Sequence, residues 1–401
     1  MIPRFKPFFD WREIKAILGI KKNAVAKFEI AFAKNFQTKY ALAFPYGRSA
    51  LYALLKALDI KNAEIIIPAY TCVVVPHAIV LSKNIPKFVD INAKNYNLNL
   101  DEVIKKISPQ TKAIIPGNIF GYPVDTEKLK KITNDKNILI IQDCAHCFGA
   151  KWHGQFVCNQ GDAAIFGLNI AKYISSIHGG MLTTNRRDIY QKVKTYRDRH
   201  FKNILFFRSL KNYFYLLATY PAFNPLIYGL TSYFDYIEGH RILGRTTKYY
   251  QENKIDLPPD ALSLLSSIEA KVGIAQLQKY PKILAKRKII SQYYHDHLQN
   301  IPQLVLPPLI DGATYSHYVP RVQNRQKVIS QMKKQGIQLG SLINYSIPRL
   351  KAYQKYTNEK FPKAWRCSRE TINLPIYPDL KKTELDYIIT NLKDILSQNK
   401  K

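Results

Sequence analysis

Acidic residues are scarce in this sequence of 401 residues: 29 Asp and Glu stand against 60 Lys and Arg, a formal charge of +31. That balance favours anionic partners, among them nucleic acid, anionic lipid and phosphorylated small molecules. Nucleic acid is set aside because helix-turn-helix spacing, zinc-finger spacing and an aromatic RNA-binding signature are all missing, and because the basic residues are spread out rather than massed. A lysine-rich proteome would produce the same bias. Cysteine is scarce too. The five, Cys72, Cys144, Cys147, Cys158 and Cys367, are odd in number and scattered, which excludes a disulfide framework and points to a reduced, cytoplasmic protein. Cys144 and Cys147 have CxxC spacing, but no second pair completes a zinc site, so no metal is expected. Met1 to Pro7 carries no apolar signal region. An unbroken apolar run of about 20 residues, the length of a membrane span, is also missing. The nearest approach, Asn212–Phe234, has no charged side chain but holds Pro221, Asn224, Pro225 and Gly229. It reads as two short amphipathic helices, within an apolar, aromatic-rich insertion at about 203–250. They either pack on protein or lie peripherally in a membrane interface beside Lys202, Arg208 and Lys211.

What is present is a regular alternation. Apolar strands at Tyr40–Phe44, Glu64–Pro68, Pro86–Asp90, Thr111–Pro116, Ile138–Gln142 and Ala163–Leu168 alternate with helical periodicity at Ser49–Leu58, Tyr70–Leu81, Leu100–Ile107 and Asp125–Ile132. Two further helices, Trp11–Leu18 and Ala24–Asn35, precede the first strand. The pattern predicts an α/β fold, a mostly parallel central sheet with helices on both faces. The length and a hydrophobic fraction of 46% suit two domains: a large one over 1–250 and a smaller α+β one over 251–401. The smaller domain begins with a helix from about Leu257 through Gln276 and ends with one near Lys382–Leu396. Tyr315–Val322, Gly336–Asn344 and Thr371–Leu374 are candidates for a small sheet.

Ligands of such sheets bind at the carboxyl ends of strands. Gly47, Tyr70, Asn118, Asp143 and Lys172 all fall just past strand ends. Lys172 lies in the turn after an apolar strand, where desolvation lowers an amine's pKa and makes it a usable nucleophile for an aldehyde cofactor. Gly47-Arg48-Ser49 is a glycine turn opening a helix, a ready anion site. Asp143 ends a strand, as a helix cap or as the partner of a cofactor cation, and His146 lies three residues on.

With these residues the sequence resembles the sugar aminotransferase family named for DegT, DnrJ, EryC and StrS, fold-type I enzymes that use pyridoxal 5'-phosphate. The landmarks run in order: Lys27-Phe-Glu-Ile-Ala-Phe-Ala33, Gly47-Arg-Ser-Ala-Leu51, Ile67-Pro-Ala-Tyr-Thr71, Val89-Asp-Ile91, Gly117-Asn-Ile-Phe-Gly121 and Asp143-Cys-Ala-His146. The Lys172 turn with Gly179-Gly180 follows, then Glu269–Leu277, Gly336-Ile337, Asn344–Pro348 and Leu374–Pro378. The resemblance implies that Lys172 holds the cofactor as a Schiff base and that Asp143 holds its ring nitrogen. It places His146 near the phenolic oxygen and the backbone of the Gly47, Arg48 and Ser49 turn around the phosphate, helped by the Ser49 hydroxyl. Asn169 or the partner chain is expected to supply part of the phosphate grip, and Asn118 and Tyr345 are candidate substrate contacts. The implied reaction moves an amino group from glutamate (or glutamine), through pyridoxamine phosphate, to a nucleotide-linked keto sugar for polysaccharide or glycoconjugate synthesis, in a homodimer. The departures are Gly167 where the family has a phosphate-binding serine, and Cys72 where an aromatic often stacks on the cofactor, with Tyr70 as a substitute. Asp260–Leu265 replaces an asparagine motif, Tyr345-Ser-Ile-Pro348 replaces the family's Tyr-Pro-x-Pro segment, and Leu350 stands where a histidine often follows that segment. The alternatives are a sugar dehydratase, against which Lys172 argues, an amino-acid lyase, and a membrane-associated regulatory protein without catalysis.

Overall fold

A computed structural model describes residues 1–19, 22–203, 213–215 and 253–398. Most of the apolar insertion, including Asn212 and residues 216–234, lies outside them. Within 213–215, Phe214 and Tyr215 are exposed.

The core of the molecule is a seven-stranded sheet in the order β1-β9-β8-β5-β4-β2-β3. Its strands are β1 (Tyr40–Phe44), β2 (Glu64–Pro68), β3 (Ile85–Val89), β4 (Thr111–Ile114), β5 (Leu139–Asp143), β8 (Ala163–Gly167) and β9 (Gly180–Thr184); β6 (Lys151–Trp152) and β7 (Gln155–Phe156) form a separate hairpin. Only β9 runs against its neighbours in the large sheet. Ile65, Ile66 and Ile67 are consecutive and all fully buried. A strand covered on both faces has no polar side to show, which is why these strands read as apolar runs rather than alternating ones. The helices α1 (Trp11–Leu18), α2 (Ala24–Asn35), α3 (Gly47–Ala57), α4 (Val74–Leu81), α5 (Leu100–Lys106), α6 (Thr126–Thr133) and α7 (Arg187–His200) occupy the first half of the chain.

Two expectations shift. The helix expected from Tyr70 begins only at Val74. The Val73 N–H donates to the Tyr345 hydroxyl at 3.0 Å, and the Tyr70 hydroxyl bonds to the Ile343 carbonyl and the Thr371 hydroxyl, each at 3.2 Å. These tertiary bonds hold residues 69–73 as a loop. The helix expected to end near Gln276 is α8, Ser267–Leu298, 32 residues long. Ser266 and Glu269 form a reciprocal capping box that sets its start later than Leu257, and the helix runs on through Pro281. Gly273 lies where α8 crosses α2: a Cβ there would sit 2.4 Å from the Phe28 ring. The remaining elements are β10 (Leu304–Val305), β11 (Arg321–Val322), α9 (Arg325–Lys334), α10 (Pro362–Glu370) and α11 (Lys382–Gln398). Antiparallel bridges Tyr318–Leu374, Arg321–Thr371 and Gly340–Asn373 join the three late segments expected to form a small sheet.

The N-terminal arm is tied down by a buried charge pair. Lys279 of α8 and Glu13 of α1 are 2.5 Å apart, with side chains 2% and 1% exposed. The same amine donates to the Phe8 carbonyl at 2.7 Å. Removing one partner of a buried pair strands the other charge. Lys279→Ala is therefore expected to cost about 3–5 kcal/mol in chemical denaturation and to open residues 1–18 to limited proteolysis. An unchanged denaturation midpoint would show that the arm contributes nothing.

Candidate active site

The site is built from the carboxyl ends of five strands. After β1 the chain passes Tyr46 and enters α3 at Gly47. A Cβ on Gly47 would lie 2.9 Å from the Phe166 carbonyl oxygen and 3.3 Å from the Gly167 Cα, so the glycine lets α3 press its N-terminus onto the end of β8. Gly180 serves the same closure, since a Cβ there would lie 2.2 Å from the Tyr46 carbonyl carbon. Beyond β2 come Thr71 and Cys72, beyond β4 Gly117, at the end of β5 Asp143, and beyond β8 the Lys172 turn.

These ends enclose one cavity. Gly47, Arg48, Cys72, Asp143, His146, Asn169 and Lys172 line it, as does Gly167. Seven of the residues singled out from the sequence for cofactor contact are thus brought together from four separate strand ends. Thr71, Val75, Ala145 and Gly179 also line it and had been given no role. Thr71 stood inside a landmark, but nothing in its spacing distinguishes a lining hydroxyl from a capping one.

Four candidates are placed elsewhere. Tyr70 is fully buried but spends its hydroxyl on Ile343 and Thr371, so it supplies no stacking ring to the cavity wall; Cys72 stands there instead. Asn118 is fully buried in left-handed backbone, φ 40°. Its amide donates to the Gln142 side chain at 2.9 Å and its carbonyl accepts from Val124 N–H at 2.9 Å. Both ends are committed, and its neighbours Gly117 and Ile119 line the cavity. Tyr345 accepts from Val73 and is absent from the lining. Ser49 is likewise absent from it. The Ser49 hydroxyl is fully buried with no hydrogen-bond partner in the structure described.

Burial dominates the electrostatics. It pushes the Lys172 amine below its ordinary range, against the fields of Cys72 and Asp143. It pushes the Asp143 carboxyl up to about 6, against a hydrogen bond from Ala145 N–H (3.0 Å) and the field of Lys172. A carboxylate held in that way is costly unless a cation meets it. Burial, then Lys172 and His317, hold the His146 imidazole well below its usual value, so the ring is neutral. Its Nδ1 accepts from the Phe120 N–H at 3.4 Å, which leaves Nε2 as the N–H donor. His317, unremarked in the sequence, packs against His146 with ring centroids 5.4 Å apart.

The family model described as the DegT/DnrJ/EryC1/StrS aminotransferase family matches residues 16–216 and 240–393. The chain belongs to that family. The aminotransferase model passes over 217–239, inside the insertion noted from composition. Among curated relatives, the chain is 24% identical to the GDP-perosamine synthase of Escherichia coli O157:H7, covering 99% of each chain. It is 26% identical to the dTDP-3-amino-3,6-dideoxy-alpha-D-galactopyranose transaminase of Aneurinibacillus thermoaerophilus, over 91% of this chain and 88% of that one. Among solved structures it superimposes with a TM-score of 0.79 on a putative sugar aminotransferase of Streptococcus pneumoniae in its PMP form, at 20% identity over 99% and 100% of the two chains. The fold is that of fold-type I aminotransferases. Among the described residues no helix is long and apolar enough to cross a membrane.

Proposed function

We propose that this aminotransferase uses pyridoxal 5'-phosphate to move an amino group from glutamate (or glutamine) to a keto carbon of a nucleotide-linked sugar. We place it in polysaccharide or glycoconjugate synthesis, as a homodimer. The observation that carries the reading is the convergence of Lys172 and Asp143 on one buried cavity, the amine pushed down and the carboxyl pushed up. The residues present fit the cofactor. Asp143 is a buried carboxyl in want of a cation. Gly167 leaves open wall beside Lys172: a Cβ there would meet only Ala145 Cβ and Lys172 Cε, each at 3.7 Å.

When bound, pyridoxal phosphate supplies an aldehyde that carries the amino group and a ring that draws off electrons. The protein's own groups do the rest. Lys172 would hold the aldehyde carbon through Nζ and, when free, would take and return the proton at the reacting carbon, for which an amine of lowered pKa is suited. Asp143 would keep positive charge on the ring nitrogen, and His146 would donate Nε2–H to the phenolic oxygen. The N-terminus of α3 would face the phosphate. The nucleotide-sugar substrate rests on what the two curated relatives are named for.

The test is to load the protein with pyridoxamine phosphate and mix it with GDP- and dTDP-linked keto sugars. The visible band of lysine-bound cofactor is expected to return with at least one of them, and glutamate or glutamine to reverse it. Failure of every nucleotide keto sugar, with the band restored by simple 2-oxo acids, would remove the sugar assignment. Light scattering at working concentration checks the dimer.

A further inference from the structure

This inference rests on the cofactor reading above and concerns how this chain grips the phosphate. A phosphate ester carries nearly two negative charges at neutral pH, and the cavity must answer them. Asp143 is committed to the ring nitrogen and Lys172 to the aldehyde. His146 is neutral. Among the described lining residues one further formal charge remains, the guanidinium of Arg48.

The geometry points to Arg48 as the phosphate anchor of this chain, taking over from the side chain missing at Gly167. Three observations support it. Arg48 is 3% exposed and yet lines the cavity rather than leaving it. A cation of that length normally extends its head to water. Its position is fixed by Gly47, whose contact with Phe166 and Gly167 seats residue 48 at the end of β8. Gly167 faces Lys172 with room for a side chain it does not have, so the wall that lacks an oxygen ligand borders the residue that brings a charge. The field of Arg48 also reaches its neighbours: burial and then Arg48 push the His77 imidazole down to about 4. A guanidinium is well suited to this duty. Its forked donors match phosphate oxygens two at a time, and it is weakly hydrated, so burial costs it less than it would an ammonium. The Tyr46 ring, whose centroid is 5.7 Å from the guanidinium carbon, gives it an aromatic face to rest on.

The experiment compares two ligands that differ only in the phosphate. Full-length apoprotein is titrated with pyridoxal phosphate and with pyridoxal, following the visible band of the lysine-bound aldehyde. In the wild-type chain the phosphate ester should bind far more tightly. Arg48→Ala is expected to weaken pyridoxal phosphate by about 10- to 100-fold and to change pyridoxal by less than about 3-fold, because only the charge-assisted bonds are lost. Adding Gly167→Ser to Arg48→Ala should recover part of the phosphate preference. If Arg48→Ala loses both ligands, Arg48→Gln, similar in reach but uncharged, is titrated in its place and must show the same selective loss. A phosphate preference unchanged in whichever variant still binds pyridoxal overturns the anchor while leaving the cofactor reading intact. Wild-type protein that binds neither compound overturns the cofactor reading itself.

Discussion

Lys172→Ala should abolish amine transfer, lowering the rate by at least about 10³-fold, and should remove the visible band of lysine-bound cofactor. The two losses have separate causes. The band requires the nitrogen to be joined to the aldehyde. The rate requires that same nitrogen, once displaced, to carry a proton between the reacting carbon of the substrate and the aldehyde carbon of the cofactor. Lys172→Arg separates charge from chemistry: it restores a cation at the same wall but supplies no nucleophilic amine at working pH. Arginine should therefore rescue neither the band nor the rate. Exogenous small amines added to the alanine variant should restore part of the proton transfer and none of the anchoring. A variant that kept its rate would mean that the base lies elsewhere and that the lowered pKa of Lys172 reflects burial alone.

Asp143→Asn should reduce transfer by about 10²- to 10³-fold, because the neutral amide no longer holds positive charge on the ring nitrogen. Its effect on the empty protein should have the opposite sign. The Asp143 carboxyl rises from about 3.8 unfolded to about 6 folded, chiefly through burial. A group whose folded pKa is raised binds more protons folded than unfolded between those values. Stability is then full below about pH 4 and is lost as pH climbs toward 6. The shift corresponds to about 3 kcal/mol at 1.36 kcal/mol per unit. Asparagine has no charge to bury. Cofactor-free Asp143→Asn should therefore melt higher than wild type at pH 7 to 8, and the difference should vanish near pH 4. Bound cofactor should reverse the order at neutral pH, since its ring cation meets the carboxylate only in the wild-type chain. If the two apoproteins melt alike across that range, the carboxyl is not paying a burial cost.

The alternation of apolar strands with helical periodicity was enough to specify the six parallel strands of the sheet, because two-sided burial leaves most of their residues apolar, whereas the antiparallel β9 between β1 and β8 was not foreseen. The location of Lys172 and Asp143 just past strand ends was enough to make them candidates, because ligand sites in such sheets collect there. The insertion near 203–250 was visible as a composition break, and the family model passes over its middle, 217–239. Element ends were less legible. The Tyr70 helix began late because the loop before it bonds to segments some 270 residues away.

Local sequence thus determined which residues sit at the mouth of the sheet. Lys172, Asp143, His146 and the Gly47–Arg48 turn owe their positions to strand lengths and turn chemistry that the chain carries within a few residues. The tertiary structure decided which side chains face the cavity. Asn118 and Tyr345 carry polar groups as suitable as those that line it, but Gln142, Val124 and Val73 take up their hydrogen-bonding capacity. A buried polar atom must find a partner, and in a packed interior that partner is set by segments distant in sequence. The turn after β8 therefore kept its lysine as read, and the structure added what lines the cavity with it: an open place at Gly167 beside the lysine and a buried guanidinium at Arg48.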